Sequence, residues 1–104
     1  MELSQIKRVA VIGSGIMGHG IGQAFALGGY DVTLNDLTDE LLKKALGQIA
    51  KNLQTFAEFE ITTSAGAAEA LSRIRMATDL EEAVEGADFI VEALPSLRPK
   101  AIRI

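Results

Sequence analysis

A glycine-rich turn constrains the fold of this chain more than any other feature. The apolar run at residues 9–12 leads into Gly13, Gly15 and Gly18, spaced as Gly-x-Gly-x-x-Gly, and a helical pattern follows. A strand that passes through such a turn into a helix directs unpaired backbone N–H groups and the positive end of the helix dipole at one point. The turn therefore predicts a binding site for a phosphate.

The glycines of this segment have separate expected roles. Gly13 lets the backbone leave the strand where a side chain would obstruct the turn. Gly15 leaves room for a pyrophosphate to approach the main chain, and Gly18 lets the helix lie close to the sheet. Gly22 shares a helix face with Gly18, and each interior glycine costs a helix about 1 kcal/mol relative to alanine. Close packing on the sheet is the expected reason for both.

A single acid follows the second apolar run. Asp36 would accept hydrogen bonds from ribose hydroxyls and would repel a 2′-phosphate, and it is followed by Leu37 and Thr38 rather than by arginine. This pattern favours NAD over NADP as the cofactor. Turn and acid together predict a dinucleotide-binding domain, and the alternative is a glycine-rich turn in another α/β protein such as a methyltransferase.

The bulk composition narrows the possible partners. The 104 residues suffice for one domain, and the net charge of −4 argues against nucleic acid or an anionic membrane as the main partner. The sequence has no cysteine and one histidine, so we expect no disulfide, no thiolate chemistry and no metal site. No signal peptide or membrane-spanning run is visible, so a cytoplasmic location is expected.

Strand and helix patterns alternate along the chain. The expected strands are 8–12, 31–35, 74–77 and 89–94, and the expected helices are 14–27, 38–59, 62–72 and a short one that ends near Gly86. Thr78 and Glu81 have the spacing of a capping box for the short helix. The pattern predicts an α/β fold with a Rossmann-type parallel sheet of order 3-2-1-4 and helices on both faces. A helical hairpin is inserted between strands 2 and 3.

The charge balance changes near Pro95. Residues 1–95 carry seven basic and fourteen acidic side chains, whereas residues 96–104 carry three basic side chains and no acid. We therefore predict a dinucleotide-binding domain at 1–95 and a divergent basic tail at 96–104 that shows no clear periodicity. A sheet that ended at the fourth strand would leave an unpaired edge, so we expect a homo-oligomer that covers this edge.

These segments resemble a known family. The sequence is similar to the N-terminal NAD-binding domain of 3-hydroxyacyl-CoA dehydrogenases, the 3-hydroxybutyryl-CoA type included. The matching pieces are the turn at 9–22, the run at 25–36, the helical hairpin and the segments 77–88 and 89–95. Enzymes of this family act in fatty acid metabolism, where they oxidise a 3-hydroxyacyl-CoA and transfer hydride to NAD.

The resemblance implies a set of cofactor contacts. The turn would line the pyrophosphate, Asp36 would hold the adenosine ribose, and the end of the fourth strand would lie along the cofactor. Lys100 takes the place of a family lysine that helps to position the cofactor. The expected cofactor-binding residues are Gly13, Ser14, Gly15, Ile16, Met17, Gly18, Asp36, Leu37, Ala93, Leu94 and Lys100.

The chain also departs from the family pattern. The family's Glu-Asn-Leu-x-x-Lys run reads Ser96 to Lys100 here, so its acid is replaced and Pro99 intrudes. The family's catalytic His and Glu lie beyond residue 104, and His19 is expected to face solvent or phosphate. No catalytic residue is therefore expected in this sequence.

Three interpretations of the sequence follow. In the first, the chain is the truncated cofactor half of an oxidoreductase, with NAD(H) as ligand and an acyl-CoA or a separate catalytic domain as further partner. In the second, it is a non-catalytic dinucleotide-binding module. In the third, it is an incomplete gene product.

Overall fold

Strands and helices alternate along the part of the chain that the structure, a computed structural model, describes: residues 6–93 and the backbone of residues 100–103. The strands are β1 (Arg8–Ile12), β2 (Asp31–Asn35), β3 (Ile74–Ala77), β4 (Phe89–Glu92) and β5 (Lys100–Arg103). The helices are α1 (Ile16–Leu27), α2 (Asp39–Glu58), α3 (Ser64–Ser72) and α4 (Leu80–Val84). The predicted α/β class and the helical hairpin between β2 and β3 are confirmed.

One sheet organises the molecule, with strand order β3-β2-β1-β4-β5. β1 runs parallel to both β2 and β4, and β2 runs parallel to β3, which confirms the predicted order 3-2-1-4. The last residue of β1, Ile12, is level with Asn35 of β2 and with Glu92 of β4. The carboxyl ends of these three strands therefore meet at one edge, and the glycine turn leaves β1 at that edge.

The helices divide between the two faces of the sheet. Helices α1, α2 and α3 contact each other and one face, while the short α4 contacts β1, β2 and β3. Most of the core lies on the first face, where the largest fully buried side chains are Leu34, Leu42, Ile49, Leu53, Val9, Val11 and Val32. The apolar spacing along α2 thus buries one side of that helix against the sheet and α1.

Side-chain caps begin the two helices of the hairpin. Thr38 accepts a hydrogen bond from the backbone N–H of Leu41 at 3.2 Å, and Thr63 accepts one from Gly66 at 2.9 Å. Each bond satisfies an N–H group that has no partner inside its own helix. Helix α2 therefore begins at Asp39 and α3 at Ser64, within two residues of the predicted starts at 38 and 62.

The start of α4 differs from the prediction. Asp79 is the cap and accepts from the backbone N–H of Glu81 at 3.1 Å, so the predicted capping box of Thr78 and Glu81 is wrong. The carbonyl groups of Ala77 and Thr78 both accept hydrogen bonds from the Asn35 side chain, at 2.9 Å and 3.3 Å. These bonds tie the segment that follows β3 to the end of β2, and the helix begins one residue later than predicted.

The edge beyond β4 also differs from the prediction. Residues 100–103 form β5, which runs antiparallel to β4 and pairs Phe89 with Arg103 and Glu92 with Lys100. The expectation of an unpaired edge at β4 is therefore wrong. A strand contributed by the tail supplies partners for backbone groups that β4 would otherwise expose. The domain boundary near residue 95 stays a prediction.

Candidate dinucleotide-binding site

The turn after β1 requires a residue without a side chain. Gly13 has a φ of 97°, in the left-handed region that costs other residues free energy. Its backbone N–H donates to the carbonyl oxygen of Asn35 at 2.8 Å. The turn is therefore tied to the end of β2, where Asp36 follows.

Helix α1 lies against this turn and the sheet through two further glycines. A Cβ atom on Gly18 would lie 1.8 Å from the carbonyl oxygen of Gly13, and one on Gly22 would lie 2.9 Å from Cδ2 of Leu34. Both distances are too short for a real side chain. These contacts match the roles expected from the sequence, whereas a Cβ on Gly20 would meet nothing within 4 Å and nothing in the structure explains that glycine.

The start of α1 is open to an anion. Its cap residue, Gly15, makes no side-chain hydrogen bond, and the first turn of the helix contains no acid. By contrast, α2 and α4 have side-chain caps and two acids each in their first turns. Space is free where a side chain of Gly15 would stand. The first N–H groups of α1 thus fit a diphosphate, which carries negative charge and needs close approach to the main chain.

Asp36 lies directly beside this opening. Its Oδ2 accepts hydrogen bonds from the backbone N–H of Ser14 at 2.9 Å and from the Ser14 hydroxyl at 2.6 Å, and its Oδ1 accepts from the backbone N–H of Leu37 at 2.8 Å. Partial burial raises the pKa of Asp36, but the bonds from Ser14 and Leu37 together hold that pKa below its usual value of 3.8. The carboxyl group is therefore charged at neutral pH, as ribose recognition requires.

Two spaces flank the start of α1. One, of about 260 Å³, lies between α1 and α2 and is lined by Ser14, Gly15, Ile16, His19, Asp36, Leu41, Lys44, Ala45 and Gln48. We call it the α1–α2 groove. The other, of about 220 Å³, is lined by Gly15, Ile16, Met17 and Ala93. Gly15 and Ile16 border both spaces, so a ligand with two halves joined by a diphosphate has room on each side of the helix start.

The structure brings together most of the predicted cofactor residues. The turn residues 13–18, Asp36 and Ala93 meet at the carboxyl edge of the sheet, whereas the exposed Leu37 side chain lines neither space. Leu94 lies outside the described residues, and of Lys100 only the backbone is described. The contacts of all these residues with the cofactor stay predictions.

Two amide networks support the site and were missed in the sequence. Asn35 is buried and bridges the ends of β2 and β3 next to Asp36. Gln23, also buried, accepts from the Asn52 side chain at 3.0 Å, and Asn52 accepts from Gln48 at 2.9 Å. This second chain of bonds connects the core side of α1 to a wall of the α1–α2 groove. For Gln23 the available signal was a single polar side chain in the apolar run 21–27, because buried amides need partners.

His19 belongs to the same helix start. Its Nδ1 lies 2.8 Å from the carbonyl oxygen of Gly15, in the first turn of α1. Among the residues that the structure describes, no group of three or more potential ligands could hold a metal ion. None of the helices in the described part of the chain combines the length and apolarity needed to cross a bilayer.

The parallel sheet, the open helix start and the adjacent carboxylate define the class of dinucleotide-binding domains with a Rossmann-type fold. The model of the NAD-binding domain of 3-hydroxyacyl-CoA dehydrogenase matches residues 8–99. The chain therefore belongs to the 3-hydroxyacyl-CoA dehydrogenase family, as its NAD-binding domain, and its cofactor is NAD.

Individual relatives agree with this assignment. The chain is 39% identical over 87 residues to a 3-hydroxybutyryl-CoA dehydrogenase of Bradyrhizobium diazoefficiens, covering 84% of this chain and 29% of the relative. It is 37% identical over 94 residues to the mitochondrial hydroxyacyl-coenzyme A dehydrogenase of Rattus norvegicus, covering 86% and 30%. The crystal structure of 3-hydroxybutyryl-CoA dehydrogenase from Escherichia coli K12 superposes with a TM-score of 0.84 at 32% identity, covering 89% and 20%.

The length of the match limits what the chain can share with these enzymes. The chain spans less than a third of the length of each of these relatives. The matched part is the NAD-binding domain, and the part of the relatives outside that match has no counterpart among these 104 residues.

Proposed function

We propose that this domain holds NAD for the oxidation of a 3-hydroxyacyl-CoA, with the chemistry completed by groups outside these 104 residues. The observation that carries the proposal is the Asp36 carboxylate, fixed 2.9 Å from the backbone nitrogen of Ser14 beside an uncapped helix start. Membership of the dehydrogenase family supports the reaction class. NAD supplies the hydride acceptor when it is bound.

The cofactor would lie across the carboxyl edge of the sheet. The first N–H groups of α1, at Ile16 and Met17, would donate to the pyrophosphate, because they have no partner inside the helix. Asp36 would accept a hydrogen bond from the adenosine ribose. The space beside Ala93 would receive the other half of the cofactor, at the end of β4.

Calorimetric titration with the two reduced cofactors tests this binding mode. We expect NADH to bind the purified chain more tightly than NADPH, because the charged Asp36 repels the 2′-phosphate. Equal affinities would contradict the assigned role of Asp36. Absence of NADH binding at millimolar concentration would contradict the proposed function as a whole.

A turnover assay separates the cofactor-binding role from catalysis. The chain alone is expected to transfer no hydride from 3-hydroxybutyryl-CoA to NAD, because no described residue provides a general base with a carboxylate to orient it. NADH formation followed by absorbance measures this. Turnover above an Asp36→Ala control would show that a base is present after all.

Calorimetry, combined with the turnover assay repeated in the presence of a separate catalytic domain, distinguishes two proposals about partners. A domain that binds NADH and gains turnover when a separate catalytic domain of the family is added is one half of an enzyme. A domain that binds NADH and gains none is a non-catalytic dinucleotide-binding module, which the short span of the match to its relatives also allows.

Self-association stays a prediction, although the unpaired sheet edge from which it was expected is absent. The expected homo-oligomer was to cover an unpaired edge at β4, and β5 now pairs with that edge. Binding of an acyl-CoA likewise stays a proposal that rests on the family.

A further inference from the structure

Both hydrogen-bond donors of Ser14 are taken up by Asp36. Its side chain is 5% exposed, and its hydroxyl donates to Oδ2 of Asp36 at 2.6 Å. Its backbone N–H donates to the same oxygen at 2.9 Å. The resemblance placed Ser14 among the residues that line the pyrophosphate, whereas in the structure both of its donors are directed at the carboxylate that follows β2.

We propose that Ser14 is a positioning residue that acts on NAD through Asp36, by fixing the carboxylate that receives the ribose. This inference rests on the proposed function and adds a residue whose role is indirect. It differs from a direct contact between the Ser14 hydroxyl and the pyrophosphate, because the hydroxyl hydrogen is already used in the bond to Asp36.

The geometry of the three bonds explains how the carboxylate is fixed. Ser14 holds Oδ2 through two donors, and the backbone N–H of Leu37 holds Oδ1 at 2.8 Å. Two oxygens held from two directions cannot rotate freely. A carboxylate has about four acceptor positions, so about one remains for a ribose hydroxyl in the α1–α2 groove. An acceptor already in place loses less conformational entropy when the ligand binds.

The charges around Asp36 come from the two helices that form the groove. His19 of α1 and Lys44 of α2 are the other titratable side chains that line the α1–α2 groove in the described part of the chain. A measurement of the Asp36 pKa is therefore repeated in a variant that lacks the imidazole of His19.

A double-mutant cycle tests whether Ser14 acts through Asp36. In Ser14→Ala we expect the Kd for NADH to rise about three- to tenfold, which is less than the loss of a direct hydrogen bond to a charged group would cause, because the effect passes through Asp36. In the Asp36→Ala background, the same substitution is expected to change the Kd by less than about twofold, because the hydroxyl no longer has its partner. An equal loss in both backgrounds would mean direct contact with the cofactor and would overturn the inference.

The titration of Asp36 gives a second measurement that does not require a ligand. Loss of the Ser14 hydroxyl removes a bond that favours the charged form, so the pKa of Asp36 is expected to rise in Ser14→Ala. As the pH is lowered, this variant should therefore lose NADH binding at a higher pH than the unsubstituted protein does. Carboxyl NMR of the free protein, repeated with His19→Asn in both backgrounds, measures the shift. An unchanged pKa overturns the inference. If the pKa shifts but the unmodified protein binds no NADH, the proposed function fails instead.

Discussion

Replacement of Gly18 by alanine is expected to lower the free energy of unfolding by about 3 kcal/mol or more and to abolish NADH binding. The new methyl group would lie 1.8 Å from the carbonyl oxygen of Gly13 and 2.7 Å from its carbonyl carbon. Both obstacles are backbone atoms of the turn, so neither can move aside by changing rotamer. Helix α1 would have to withdraw from the turn that directs its N–H groups at the cofactor.

Gly20→Ala is the matched control for this prediction. It places the same methyl group in the same helix, at a position with nothing within 4 Å. Because alanine favours a helix over glycine, we expect the free energy of unfolding to rise by up to about 1 kcal/mol, with NADH binding retained. Chemical denaturation of both variants measures the difference. Equal stabilities would show that α1 does not lie as close to the turn as the structure places it.

Asp36→Ala is expected to weaken NADH binding by about 1–3 kcal/mol, because a hydrogen bond between the charged carboxylate and the ribose is lost. The discrimination against NADPH should shrink as well, since the charge that repels the 2′-phosphate is removed. Calorimetry with NADH and NADPH measures both effects.

Asp39→Ala provides the comparison for Asp36. Asp39 is an exposed acid in the first turn of α2, three residues further along the chain, and its side chain does not line the α1–α2 groove. Its removal changes the net charge by the same amount and is expected to leave the Kd for NADH within about twofold. If Asp36→Ala behaves like Asp39→Ala, the cofactor binds elsewhere.

The sequence predicted the turn well because the requirements there are local. The passage from a strand through a tight turn into a helix requires glycine at 13, where φ is positive, and at 18, where a side chain would meet the turn. The spacing of the motif reflects these two requirements. Asp36 could be located for the same reason, since it follows the strand adjacent to β1. These predictions depend on neighbours that any strand–turn–helix unit with this spacing would have.

The features that were missed depend on contacts between distant segments. The Ser14 hydroxyl donates to Asp36, which follows β2, and the Asn35 side chain binds the carbonyl group of Ala77 ahead of α4. The pairing of β5 with β4 joins residues on either side of a reversal in chain direction. The periodicity within one segment cannot predict such contacts, because the hydrogen-bond partners come together only when the sheet has formed.

The two ends of the candidate site use different parts of the chain, main-chain atoms at one end and a side chain at the other. The diphosphate end consists of main-chain atoms at Gly15 and the first turn of α1, where Ile16 and Met17 are exposed, while the sugar end depends on the carboxylate of Asp36. Sequence drift at the exposed positions can leave anion recognition intact. A new coenzyme preference would instead require changes at Asp36 and at Ser14, whose two donors would otherwise lose their acceptor, while the sheet and helices could stay as they are.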